Sequence, residues 1–221
     1  MAAPLDNLFV REIERNDGKT LKINQSEIGD VGCVVWDAAL VLTKYLETND
    51  FQRGTAWKGK RVVELGAGTG VVGLYAASLG ATVTITDLPE LIPLIQRNID
   101  DNVKVVTGSA TTEPLTWGSD TCNQSCRNPD YIFLADCIYY EESLNPLMST
   151  MCDLCGPRTV VLCCYEQRDT EIKKVLEAQF FNLVRESFVI EEVPLERQDP
   201  QFCSDDIHIL KFIRKSESDV T

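Results

Sequence analysis

Histidine is almost absent. His208 is the only one in 221 residues. It sits on an alternating terminal stretch and reads as structural, which leaves no His–Ser or His–Cys pairing for nucleophilic catalysis. Positive charge is scarce too: 21 Lys and Arg against 34 Asp and Glu give a net charge of −13. Those basic residues are scattered, so the footprint that nucleic acid requires for counterion release is missing. An acidic surface suits a basic protein or peptide partner better. No apolar stretch approaches the ~18–20 residues that span a bilayer. Met1–Val10 also lacks the basic start and apolar stretch of a secretory signal. A cytoplasmic protein without membrane contact is expected.

Cysteine is not scarce. There are nine, an odd number, and Cys33, Cys137, Cys163 and Cys164 lie inside apolar runs, as reduced core residues do. Cys122-x-x-x-Cys126 and Cys152-x-x-Cys155 together offer four thiolates for zinc. However, Cys152 and Cys155 fall one helical turn apart, on one buried face. Nine free thiols and no metal are therefore expected.

The most informative stretch is Arg61-Val62-Val63-Glu64-Leu65-Gly66-Ala67-Gly68-Thr69-Gly70, followed by the helix-spaced Val71 to Ala77. Strand, glycine turn and helix open a Rossmann-like unit. The dinucleotide fingerprint wants a third glycine at position 71, which is Val71. Glu64, two residues before the first glycine, disfavours phosphate and suits a cationic or hydroxyl-rich ligand. S-adenosylmethionine carries an ammonium and a sulfonium and no phosphate.

Before this unit, Phe9–Ile13 and Thr20–Ile23 flank Asn16-Asp17-Gly18, the pattern of a β-hairpin within an extension over residues 1–30. Asp37 reads as the N-cap of a helix through Leu46. After it, strands are expected at Ala81–Asp87, Val103–Val106, Tyr131–Asp136, Thr159–Cys164, Phe188–Val193 and Ile207–Ile213. Helices are expected at Leu91–Ile99, Glu141–Leu154 and Glu171–Phe181, with residues 108–129 as loop. This alternation predicts one α/β domain over residues 1–221. Its seven-stranded Rossmann-like sheet is mostly parallel, with one antiparallel strand near an edge and helices on both faces. Ligands bind such sheets at the carboxyl ends of strands, where the strand order reverses.

Strand ends therefore matter most. Asp87 ends the second strand of the unit, where a carboxylate accepts hydrogen bonds from both ribose hydroxyls; it also suits a helix cap. Trp117, in the loop after the third strand, is placed to stack on a base or to cover the core. Asp136 ends the fourth strand beside the glycine-bearing one, so it points at the cleft, with Tyr139 three residues on. The competing reading of Asp136 is a helix cap beside a packed tyrosine.

The Glu64-x-Gly66-x-Gly68-x-Gly70 run resembles motif I of S-adenosylmethionine-dependent methyltransferases. Asp136-x-x-Tyr139 and Gly32–Ala39 resemble the methyltransferase-like protein-lysine methyltransferases. Asp136–Leu144, Cys163–Arg168 and Ser204–Ile209 resemble in particular the branch of that family acting on valosin-containing protein, a hexameric ATPase chaperone. The chain departs from the pattern mainly at Ser119–Asn128 and at its short N-terminus. The resemblance implies a cofactor, S-adenosylmethionine, held by Trp36, Gly66, Ala67, Gly68, Asp87, Trp117 and Ala135 beside Glu64. It places Asp136 and Tyr139 at the substrate lysine, and a protein substrate, valosin-containing protein, is expected to meet a monomeric enzyme. A small-molecule methyltransferase and a non-catalytic cofactor-binding module are the rival readings. Arg168 follows the fifth strand, where it could reach substrate or a loop carbonyl, and is not assigned to the site.

Overall fold

The computed structural model describes residues 7–27, 31–119 and 122–216. β1 (Phe9–Glu14) and β2 (Thr20–Gln25) form an antiparallel hairpin. α1 (Asp37–Tyr45) follows, then β3 (Arg61–Leu65), α2 (Val71–Ser78), β4 (Thr82–Asp87), α3 (Ile92–Asp101), β5 (Ser109–Pro114) and β6 (Tyr131–Ala135). The chain ends in α4 (Glu141–Leu154), β7 (Val160–Glu166), α5 (Glu171–Ser187), β8 (Phe188–Glu192) and β9 (Ile207–Arg214).

Seven strands form one sheet in the order β5-β4-β3-β6-β7-β9-β8. Neighbours from β5 to β7 pair in parallel, and β9 runs antiparallel to both β7 and β8. The order reverses between β3 and β6, so the crevice beyond their carboxyl ends is the place for a ligand.

Alternation along the central strands builds two cores, because successive side chains leave opposite faces of the sheet. Val62, Phe133, Leu162 and Cys164 meet α1, α2 and α3 on one face. Val63, Ile132, Leu134, Val161 and Cys163 meet α4 and α5 on the other. The hairpin is stapled to α3 by buried amides. Asn98 Oδ1 accepts the Asn24 N–H at 2.7 Å and Asn102 Oδ1 accepts the Lys22 N–H at 2.9 Å. Among the described residues no helix is long and apolar enough to cross a membrane.

Three local expectations need correction. Val103–Val106 is not a strand: the Val105 and Val106 amides bond back to Asn102 O at 2.9 and 3.1 Å, and both side chains pad the core. The third strand of the sheet is instead β5, Ser-Ala-Thr-Thr-Glu-Pro, which forms the sheet's outer edge and has no fully buried residue. Asp37 is the first residue of α1 rather than its cap; Trp36 holds that position with no side-chain hydrogen bond. The Asp37 charge still lies at the favourable end of the helix dipole. Finally, Cys122 and Cys126 are joined in a disulfide across a short turn that brings their Cα atoms to 6.0 Å, leaving seven free cysteines.

Candidate active site

A cavity of about 530 Å³ opens at the β3/β6 switch point, within the ~300–1,000 Å³ usual for small-ligand sites. Trp36, Glu64, Gly66, Ala67, Gly68, Asp87, Trp117, Ala135, Asp136 and Tyr139 all line it. The structure brings together every residue that the sequence nominated.

The turn after β3 forms one wall. Gly66 and Gly68 have φ of +62° and +56°, a region that favours glycine. A Cβ on Gly66 would lie 2.7 Å from Trp117 Cζ2, and one on Gly68 would lie 2.6 Å from Gly32 O. Glycine is thus required at both positions, where the turn packs closely against the Trp117 indole and the Gly32 backbone. Gly68 donates its N–H to Asp87 Oδ2 at 2.6 Å, and Leu88 donates to Oδ1 at 2.7 Å. Through these two bonds Asp87 clamps the turn at the end of β4.

Glu64 lines the cavity but directs Oε2 to the Gly73 amide at 2.8 Å, inside the first turn of α2. Burial, reinforced by the Asp87 charge and opposed by the Gly73 amide, pushes its carboxyl up to about 8. Trp117 lies over Gly66, and its loop is tied to α4 by the Gly118 N–H bond to Thr150 Oγ1 at 2.9 Å. Trp36 is partly exposed and donates its indole N–H to Val31 O at 2.9 Å.

The opposite wall follows β6. Asp136 has φ of +54°, a conformation that costs a non-glycine residue energy and clusters at functional sites. Its N–H bonds to Cys164 O at 2.8 Å. Arg168 Nη2 donates to Oδ2 at 2.8 Å, and the Glu166 N–H to Oδ1 at 3.3 Å. The cap of α4 is Tyr140, so Asp136 is not a helix cap. Tyr139 and Tyr140 pack with ring centroids 4.5 Å apart, and Lys173 Nζ donates to Tyr139 O at 2.7 Å.

Arg168 and Lys173 reach the cavity without having been nominated from sequence. Both lie beyond β7: the β6/β7 pairing brings Arg168 to Asp136, while α5 brings Lys173 to Tyr139 O. Away from the cavity, Glu113, Cys122 and Cys126 are the one metal-like cluster among the described residues. Its two sulfurs are bonded to each other. Cys152 and Cys155 do not join them; their carbonyls instead accept from Arg214 Nη1, each at 2.9 Å.

The glycine cradle, the Asp87 carboxylate and the Trp117 indole fit a nucleoside ligand without phosphate, as S-adenosylmethionine is. Solved structures share this architecture. The 16S rRNA N2 G1207 methyltransferase of T. thermophilus, in complex with AdoMet and guanosine, aligns with a TM-score of 0.62 at 15% identity, covering 96% of this chain and 52% of that one. Magnesium protoporphyrin IX methyltransferase from Synechocystis, with bound SAH, gives 0.55 at 16% identity over 85% and 90%. Among curated proteins, mouse protein N-lysine methyltransferase METTL21A is 34% identical over 201 residues, 90% of this chain and 85% of its own length. Mouse EEF1A lysine methyltransferase 3 is 38% identical over 171 residues, 74% and 71% of the two chains. Residues 15–187 match the family described as lysine methyltransferase. With its Rossmann-like sheet and a cavity built for S-adenosylmethionine, the chain belongs to the lysine methyltransferase family.

Proposed function

We propose that this enzyme methylates a lysine ε-amine of a protein at the β3/β6 cavity, with Asp136 orienting the amine and Tyr139 shaping its approach. The acceptor we assign is the hexameric ATPase chaperone valosin-containing protein. The observation that carries the reading is Asp136: a strained carboxylate at the cavity wall, one strand over from the glycine turn, with no helix to cap. Bound S-adenosylmethionine supplies an activated methyl on a sulfonium, so the protein has chiefly to position a neutral amine in line with it. Asp87 and the glycine turn hold the nucleoside end, and Trp117 covers it.

The choice of valosin-containing protein rests on the three runs resembling that branch of the family. In the fold these runs adjoin one another: the Asp136 N–H bonds to Cys164 O at 2.8 Å, and the Gln167 N–H to Asp206 O at 2.7 Å. The first two reach the cavity wall, through Asp136, Tyr139 and Arg168. We further assign a cytoplasmic monomer acting without nucleic acid, in keeping with its acidic charge. Incubating the enzyme with cell extract and methyl-labelled S-adenosylmethionine tests the assignment. One labelled protein of the chaperone subunit's size is expected; label only in small molecules or spread over many proteins would contradict it.

A further inference from the structure

We propose that Arg168 is a positioning residue that holds the Asp136 carboxylate as an ion pair and so keeps the incoming lysine amine neutral and nucleophilic. The inference rests on the assignment of Asp136 as the group that receives the amine. An unperturbed lysine titrates near ~10.4 and is almost wholly ammonium at neutral pH. A lone carboxylate at the cavity wall would make this worse, because an opposite charge within ~4–6 Å stabilises the charged form. Such a site would bind lysine as ammonium, whose nitrogen has no lone pair to attack with.

The geometry meets this difficulty. Arg168 Nη2 lies 2.8 Å from Asp136 Oδ2 and 3.3 Å from Glu166 Oε2. Its guanidinium sits 5.3 Å from the centroid of the Trp36 ring, on the cavity wall. Asp136 is thus paired with a guanidinium cation that offsets part of the charge on its carboxylate. With one bond to each oxygen, it still has lone pairs to accept an N–H from a neutral amine.

The surrounding charges do not undo this. Glu166 shares the same guanidinium, which leaves one negative charge over, and Lys173 on α5, bonded to Tyr139 O, supplies the second cation that balances it. On α4, Glu142 lies on the cavity rim. Glu64 and Asp87 line the β3 and β4 side with the glycine turn. The Cys163 and Cys164 thiols that adjoin Asp136 are pushed up by burial and stay neutral.

The test is the pH profile of single-turnover methyl transfer to purified valosin-containing protein, with the enzyme in saturating excess over the acceptor and S-adenosylmethionine saturating, for wild type, Arg168→Gln, Arg168→Lys and Asp136→Asn. Under these conditions the acid limb reports ionisation within the complex. In Arg168→Gln the limb should move up by about one pH unit, with roughly tenfold slower transfer at neutral pH. Arg168→Lys should restore the wild-type limb. If Arg168 were only structural, both variants would lose melting temperature and rate while the limb stayed in place, and the proposal would be overturned. Asp136→Asn separates the two assignments. Full activity in that variant removes Asp136 from the site and this inference with it, whereas an inactive Asp136→Asn beside an unmoved Arg168→Gln limb overturns the Arg168 role alone. No transfer by the wild type overturns the choice of substrate and the inference built on it.

Discussion

At Asp87 two backbone amides, from Gly68 and Leu88, already occupy one lone pair on each carboxylate oxygen. The residue therefore organises the glycine turn, in addition to the ribose contact proposed for it. Asp87→Ala should weaken S-adenosylmethionine binding by at least ~1.5–3 kcal/mol, the usual range for hydrogen bonds to a charged group; unchanged affinity by calorimetry would remove Asp87 from the ribose site. Glu64 makes a prediction of a different kind. Its carboxyl is raised by burial to about 8 from an ordinary value near 4.5. Between those values the folded state keeps a proton that the unfolded chain has released, so this group's contribution to stability falls as pH rises through the window. Glu64→Gln should melt close to wild type near pH 5 and gain relative to it by pH 8; parallel melting curves would contradict the assignment. The site was legible in sequence wherever a residue's place follows from its own strand: Glu64, Gly66, Asp87, Ala135 and Asp136 all sit at or just after a strand's carboxyl end. The role of Arg168 was not legible, since its partner is set by the pairing of β6 with β7 and nothing within its own run points to Asp136.

The elements show the same division. Apolar runs with period-two alternation, such as Tyr131–Ala135, announce buried strands. β5 does not, because an edge strand with one neighbour needs no apolar run, while Val103–Val106 gave a strand-like signal that the structure uses as a padded turn after α3. Asn98 on α3 ties together three pieces that no local pattern connects. Its side chain accepts the Asn24 N–H at 2.7 Å and donates to Thr69 O at 2.9 Å, linking the hairpin to the glycine turn. Asn98→Ala would leave buried polar groups without partners, a cost of roughly 1–3 kcal/mol each. The urea midpoint should fall and S-adenosylmethionine should bind more weakly, because the turn loses its anchor. A variant with unchanged midpoint and affinity would show that the hairpin and the turn are independent.

On the scale of the whole molecule, a net charge of −13 distinguishes this chain from what its fold alone permits, since the same sheet serves an rRNA methyltransferase. Binding to polyanions rises with the number of phosphates a protein neutralises, and here the long-range field repels them. A gel-shift assay with single-stranded or hairpin RNA at low salt should show no complex; a salt-sensitive shift would reopen the nucleic-acid reading. The central claim is narrower: this cavity, through Asp136, methylates a protein lysine. Its most direct test is peptide-mapping mass spectrometry of purified valosin-containing protein after incubation with S-adenosylmethionine and either the wild-type enzyme or Asp136→Asn, each shown beforehand to be folded and to bind the cofactor. The account predicts methyl-lysine in the wild-type reaction and none with the variant; no methylation by either would overturn the choice of acceptor, and equal methylation by both would contradict the central claim.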